Sequence, residues 1–178
     1  MNAIDLPFEC LSNAGCSLEV QVLACMLAQS ARVGARPLLR GLPPDAFAAL
    51  CARCFPAAKL DNGEFPDTSC VDEFDELFAL LLDYATPRDE MASWLAAGIA
   101  TAAQRDQHLW QDMGLPSRRE LSAILELRFP RLAAQNRGDM KWKKFFYRQL
   151  CQRAEVPICK SPNCVVCSDH AVCFGPED

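Results

Sequence analysis

Apolar residues recur along this chain at intervals of three and four, the spacing that places them on one face of an α-helix. From Ser17 to Val33, Leu18, Val22, Leu23, Met26 and Leu27 keep that interval, and Gly34 and Pro37 close the stretch. Pro44 and Asp45 open a shorter helix through Phe47, Leu50 and Cys51, which Pro56 ends because a prolyl ring cannot continue the turn. Asp61-Asn62-Gly63 predicts a turn, and Pro66 keeps the connection extended. Ser69 can cap the next helix, whose first turn carries acids where the helix dipole favours them.

Thr86 and Pro87 open a further helix over Met91, Trp94, Leu95 and Ile99, with the proline placed where its missing N–H does no harm. The Ala-rich middle of that helix permits close packing. Ser117-Arg118-Arg119-Glu120 matches the capping box, and Leu121, Ile124, Leu125 and Phe129 then form one apolar stripe up to Pro130. The last helix is expected from about Asp139 to Ala154. Trp142, Phe145, Phe146 and Leu150 lie on one side of it, and Lys141, Lys144 and Arg148 on another. After Pro157 the periodicity disappears, no segment alternates as strands do, and there is no internal repeat. The expected fold is mostly α: a single helical domain over residues 1–155, with an irregular C-terminal four-cysteine metal-binding loop in a cluster-binding tail, 156–178, packed on it.

Composition agrees with a globular chain: of 178 residues, 51% are apolar and 8% aromatic, enough for one domain with a real core. The best candidate for a membrane span, Phe78 to Leu82, is cut off by Asp83 and is far short of the roughly 20 residues a span needs. Asp5 and Glu9 stand where a signal peptide would carry Lys or Arg, so the cytoplasm is the expected compartment. The net charge of −5 conceals an asymmetry. Residues 61–90 hold ten acids against Arg88 alone, and residues 117–153 hold ten bases against Glu120, Glu126 and Asp139. Such a split can steer a partner, let the two halves attract each other, or merely mark solvated helix faces of opposite sign. An acidic chain with no base-reading motif is not expected to bind nucleic acid.

The compartment changes the meaning of the eleven cysteines. Their number is odd and their spacing uneven, so in a reducing environment thiols and metal ligation are better readings than disulfides. The tail reads Cys159-x4-Cys164-x2-Cys167-x5-Cys173, four thiols within fifteen residues, with Pro162 and Gly175 opposing a helix. A compact loop of this kind turns several sulfurs toward one centre while its amides offset their charge, as thiolate ligation requires. On spacing alone the metal stays open. A four-thiolate zinc site is the simpler structural reading; an iron–sulfur cluster fits the all-thiolate ligation but not either ferredoxin spacing.

The run Met140-Lys-Trp-Lys-Lys-Phe-Phe-Tyr-Arg-Gln-Leu-Cys151, followed by this cysteine loop and Phe174-Gly175, resembles the NifQ family of nitrogen-fixation proteins. The segment His108-Leu-Trp-Gln-Asp-Met-Gly-Leu-Pro116 is similar to the same family, as is Phe129-Pro130 followed by Asn136. The likeness is strong over about residues 90 to 175 and weak over the first 60. It implies a carrier: an iron–sulfur protein that holds molybdenum and supplies it for biosynthesis of the nitrogenase iron–molybdenum cofactor. It also implies the cofactor scaffold NifEN and the reductase component NifH as partners, with molybdate or a molybdenum–sulfur species as cargo. The family's motif falls on Cys159, Cys164, Cys167 and Cys173 without a change of spacing, which makes these four the expected cluster and metal ligands. In that reading three cysteines hold irons, and the fourth binds molybdenum or a further iron, or releases the cargo.

Other residues carry weaker signals. Lys141, Lys143, Lys144 and Arg148 could dock an acidic partner or attract an anion, or be a solvated face. Trp142, Phe145 and Phe146 are expected to anchor their helix in the core. His108 and His170 could be ligands, although a lone histidine is more often structural. Cys51 and Cys54 are spaced like a metal pair but fall one turn apart on a helix without a second pair, which favours buried thiols. Cys151 ends the basic helix outside the motif, and Cys10, Cys16, Cys25 and Cys70 form no pattern. No acid–base or nucleophilic constellation stands out, so catalysis is not expected. An interaction module stabilised by zinc and an electron-transfer iron–sulfur protein are the alternatives to a carrier.

Overall fold

The structure, a computed structural model, describes residues 16–63, 72–155, 167–168 and 170–177. The described residues form nine helices and no strand. They are α1 (Leu18–Arg32), α2 (Pro44–Cys54), α3 (Phe74–Tyr84), α4 (Glu90–Ala103), α5 (Leu109–Asp112), α6 (Arg118–Arg128), α7 (Pro130–Ala133), α8 (Trp142–Arg153) and α9 (His170–Phe174).

Helix α4 is the axis of the fold. Every residue from Trp94 to Ala103 is buried, so this helix is apolar on all sides and is enclosed by its neighbours instead of facing water. Helices α1 and α3 lie directly against it. Its alanines and Gly98 let α1 approach closely: a Cβ on Gly98 would lie 2.4 Å from the terminal methyl of Met26. The hydroxyl of Thr101, deep in this helix, donates to the Ala97 carbonyl at 2.7 Å and accepts the Arg40 N–H at 2.9 Å, which ties the α1–α2 connection to the core.

Most of the local signals read from the sequence appear as expected. Ser17 and Pro43 precede α1 and α2, and Gly34 takes φ +70° after α1, where the Ala35 N–H returns to the Ser30 carbonyl at 2.9 Å. The Asp61-Asn62-Gly63 turn is present, with the Gly63 N–H donating to the Asp61 carboxylate at 3.0 Å. The Asn62 side chain also pairs with both backbone groups of Leu39 at 2.9 Å. Trp142, Phe145 and Phe146 are buried and pack ring against ring with centroids 5.7–6.0 Å apart.

Four expectations are corrected. Helix α4 begins at Glu90 and not at Pro87, because Asp89 is the residue whose carboxylate accepts the Ala92 N–H, at 2.9 Å. At α6 the Ser117 hydroxyl accepts the Arg119 N–H at 3.1 Å and donates to Glu120 at 2.6 Å, so Ser117 caps the helix but the reciprocal box is not closed. Helix α8 starts at Trp142, since Asp139 lies at φ +52° in the preceding turn. The tail is not wholly irregular: His170–Phe174 is helical. Ser69 lies outside the described residues.

The charge asymmetry resolves partly into contact between the two segments. Arg153 of α8 meets Asp83 of α3 at 3.0 Å, and both Arg131 and Arg153 lie over the Tyr84 ring at 5.7–5.8 Å. Arg128, almost wholly buried, pairs with Asp89 and stands 3.9 Å from Glu19. The basic segment therefore attracts the acidic one within the chain. No described helix is long and apolar enough to cross a membrane.

A more deeply buried pair fixes α8. The Lys143 ammonium donates at 2.5 Å to Asp112 Oδ2 and to the Arg105 carbonyl; the two side chains are 16% and 5% exposed. Asp112 also accepts the Gln107 N–H at 3.0 Å, and Arg105 donates at 2.7 Å to the Asp112 carbonyl and to Ser30 Oγ. Burial lowers the Arg105 guanidinium from its usual value, and the Asp112 charge opposes that shift. One network thus joins α8, the α4–α5 connection and α1.

The packing sets the stability cost of three substitutions. Breaking a buried pair strands a charge, so Asp112→Ala should cost about 3 kcal/mol. Arg153→Ala, which removes a pair 41% and 53% exposed, should cost less than about 1 kcal/mol. Urea midpoints at constant m-value measure both, and equal losses would mean that the Lys143–Asp112 pair is not structural. Gly114 lies at φ +70° after α5, and a Cβ there would meet Gln29 Cβ at 2.9 Å and the Cys25 carbonyl oxygen at 3.0 Å. Gly114→Ala should therefore cost about 1–3 kcal/mol in the same assay, whereas at an unstrained position alanine would stabilise.

Candidate functional site

The described part of the cysteine tail sits against the turn that leads into α8. That turn is built by Asn136, whose side-chain oxygen accepts the Met140 N–H at 2.9 Å and whose amide donates to the Met140 carbonyl at 2.8 Å. Arg118, at the start of α6, adds three contacts from its Nη2: to Asp139 Oδ1 at 2.8 Å, to the Asp139 carbonyl at 3.2 Å and to the Met140 carbonyl at 3.0 Å. The next amide, Lys141 N–H, donates to the Cys173 carbonyl at 2.8 Å. Because Phe145 N–H takes the Lys141 carbonyl at 2.9 Å, a single residue connects the first turn of α8 with the cysteine segment.

Helix α9 begins three residues after Cys167 and carries Cys173 in its last turn. The Cys167 carbonyl accepts the His170 N–H at 3.1 Å, and the His170 ring stacks on Phe174 with centroids 4.5 Å apart. Phe174 packs over Gly138, where a Cβ would come within 3.1 Å of its ring. Gly175 closes the helix through an N–H bond to the Ala171 carbonyl at 2.8 Å, and a Cβ on Gly175 would lie 2.4 Å from that same oxygen. Any larger residue would push the tail off this path. Beyond it the Glu177 carboxylate turns inward, 4% exposed, with Oε1 3.9 Å from both Arg118 Nη1 and His108 Nδ1.

Of the four expected ligands, Cys167 and Cys173 are half-buried free thiols, the first lying three residues before α9 and the second within it, and Cys159 and Cys164 lie outside the described residues. Among the described residues no three His, Cys, Asp or Glu side chains gather as a metal site. The donor chemistry nonetheless fits a thiophilic centre. Cys173 lies on a short, anchored helix and Cys167 just before it, both partly shielded from water, and the remaining two motif cysteines precede them in the chain.

The other candidates separate. Lys143 is not on the surface face proposed for docking; its ammonium is turned into the Asp112 network. Lys144 is exposed, and Lys141 and Arg148 are half-buried. His108 faces Glu177 and His170 stacks on Phe174, which gives each a packing role. Cys51 and Cys54 lie one turn apart on α2, both half-buried, and burial raises the Cys51 thiol above its usual value, as it does that of Cys25. Cys51 and Cys25 are therefore poor thiolates at neutral pH. Cys16 and Cys151 are half-buried, and Cys10 and Cys70 fall outside the described residues. Sequence reasoning missed Arg118 and Glu177. Arg118 read only as a helix-start residue, and nothing local marks a penultimate glutamate as buried.

A profile of the NifQ family matches residues 22–175, a span that takes in the helical body and all four motif cysteines. The protein NifQ of Rhodobacter capsulatus is 38% identical over 165 residues, covering 90% of this chain and 92% of its own. The protein NifQ of Azotobacter vinelandii is 45% identical over 106 residues, covering 60% of this chain and 54% of its own. A NifQ homolog of Sinorhizobium fredii is 43% identical over 99 residues, 56% of this chain and 43% of its own. No solved structure matches the chain. With both the helical scaffold and the cysteine tail inside the matched span, the chain belongs to the NifQ family and so to nitrogen fixation.

Proposed function

We propose that this chain is an iron–sulfur molybdenum carrier that supplies molybdenum for biosynthesis of the nitrogenase iron–molybdenum cofactor. The observation that carries the reading is the reach of the family match to residue 175, through a tail whose donors are four closely spaced thiols. Cys159, Cys164, Cys167 and Cys173 would hold the cluster, and a cluster bound there would supply soft sulfide donors for a thiophilic cargo. The chain's own part is to present the thiols. Helix α9 fixes the backbone around Cys167 and Cys173, the Lys141 amide anchors Cys173, and the half-buried setting limits access of water and oxidant.

In this reading the protein is an accessory factor working in the cytoplasm. Its partners are the cofactor scaffold NifEN and the reductase component NifH, and its cargo is molybdate or a molybdenum–sulfur species. Exposed Lys144, on the helix next to the tail, is the basic residue best placed to meet an acidic partner.

The test is metal analysis with absorption and EPR spectra on protein purified anaerobically from molybdate-grown, nitrogen-fixing cells. Iron, acid-labile sulfide and molybdenum should be found together. Single Cys→Ala replacements at the four motif positions should each reduce bound metal several-fold, whereas Cys51→Ala should leave it unchanged. Zinc without iron or sulfide would replace this reading with a zinc-stabilised interaction module. Iron and sulfide without molybdenum would replace it with electron transfer.

A further inference from the structure

Glu177 is a buried carboxylate that neither the helical core nor the four-thiol donor set uses. Its side chain is 4% exposed, and Oε2 has no hydrogen-bond partner among the described residues. The basic side chains facing it are Arg118, through Nη1, and His108, through Nδ1, each 3.9 Å from Oε1. A carboxylate withdrawn from water is strongly destabilising unless a counter-charge faces it. The seating of Glu177 therefore depends on the Arg118 guanidinium, with His108 beside it.

Arg118 is itself held in place from the other side. Its Nη2 is committed to Asp139 and to the Met140 carbonyl, in the turn that leads into α8. One guanidinium thus ties that turn to the end of the tail. Between these two attachments the chain makes the Lys141–Cys173 backbone bond and packs Phe174 over Gly138. Only three residues separate Cys173 from Glu177. A shift of the carboxylate is transmitted to the Cys173 backbone through Phe174 and Gly175, whose geometry is already constrained.

The geometry points to Glu177 and Arg118 as positioning residues for Cys173: their ion pair latches the end of the tail against the turn before α8 and so sets where the Cys173 thiol is presented. The choice of Cys173 as a ligand rests on the proposed function; the latch does not.

The latch is tested first on the reduced, metal-free full chain, by the rate at which iodoacetamide alkylates each cysteine, resolved by mass spectrometry. Releasing a local contact raises the open population, so Glu177→Gln should speed alkylation of Cys173 about fivefold while leaving buried Cys25 unchanged. Arg118→Gln should act in the same direction, and the double variant should add little to either single change. Because the contact is ionic, 1 M salt should speed Cys173 in the parent chain and not in Glu177→Gln. A Cys173 rate that is the same in the parent and Glu177→Gln would overturn the latch, as would a rise shared by Cys25, which would mark general loosening. A salt response that persists in Glu177→Gln would count against it equally.

The ligand half uses cobalt(II), whose thiolate absorption bands report sulfur coordination. Glu177→Gln should weaken cobalt binding several-fold, with Glu177→Asp intermediate. Unchanged cobalt affinity beside faster Cys173 alkylation would overturn the claim that the latch positions a ligand. Failure of the parent chain itself to bind cobalt through sulfur would instead count against the four-thiol site, with the alkylation rates still deciding the latch.

Discussion

A lysine that reaches inward to an aspartate governs how this small helical protein presents its tail. Lys143 stands on α8 between Trp142 and the Phe145–Phe146 pair, and its ammonium ends on Asp112 and on the Arg105 carbonyl. A pair this buried gains little net free energy over an apolar substitute, because both ions lose their hydration. Its directional hydrogen bonds nonetheless specify one rotation of α8. Apolar packing of three aromatic rings would tolerate small rotations; a two-acceptor ammonium contact does not. Ser30 and Arg105 extend the same constraint to α1, so α8 is held against the face of the bundle that surrounds α4.

The cysteine tail inherits that orientation. Lys141 begins where α8 begins, and its amide holds Cys173. The turn before it is closed by Asn136 and Arg118, and Phe174 settles on the one residue of that turn, Gly138, that leaves room for a ring. The segments in which the family likeness was read, His108–Pro116, Phe129 to Asn136 and Met140–Cys151, are therefore parts of one support. The first supplies Asp112 and His108, the second the buried Phe129 and the Asn136 clasp, the third Lys143 and the Lys141 amide.

How far the sequence could be read depended on how local each determinant is. Ser17, Gly34 and Ser117 mark helix ends through bonds to residues within a few positions, and Pro44 through its fixed φ, so those ends were legible. The start of α4 was not, because Asp89 serves two purposes: it caps Ala92 nearby and pairs with Arg128 39 residues away. Lys143 read as a surface charge for the same reason, since its partner Asp112 lies 31 residues earlier. Its place three positions before buried Phe146 was the available hint. Glu177 offered none, as the side chains it faces, Arg118 and His108, lie far back in the chain. The four cysteines showed their chemistry as donors without naming a metal, because thiolate suits zinc and iron–sulfur clusters alike.

These layers divide the work between a rigid body and a small docked element. Helix α9 has five residues and none of them buried, too little apolar surface to hold itself in place. Its position is set from outside, by one backbone bond, one ring on one glycine and the Arg118–Glu177 contact. Each is individually weak. An element held this way can leave the body without unfolding it, whereas α8, tied into the interior by Lys143, cannot. For the carrier role proposed above, that is a favourable distribution of stability. The scaffold stays fixed, and Cys173 rides on the part of the molecule that costs least to move.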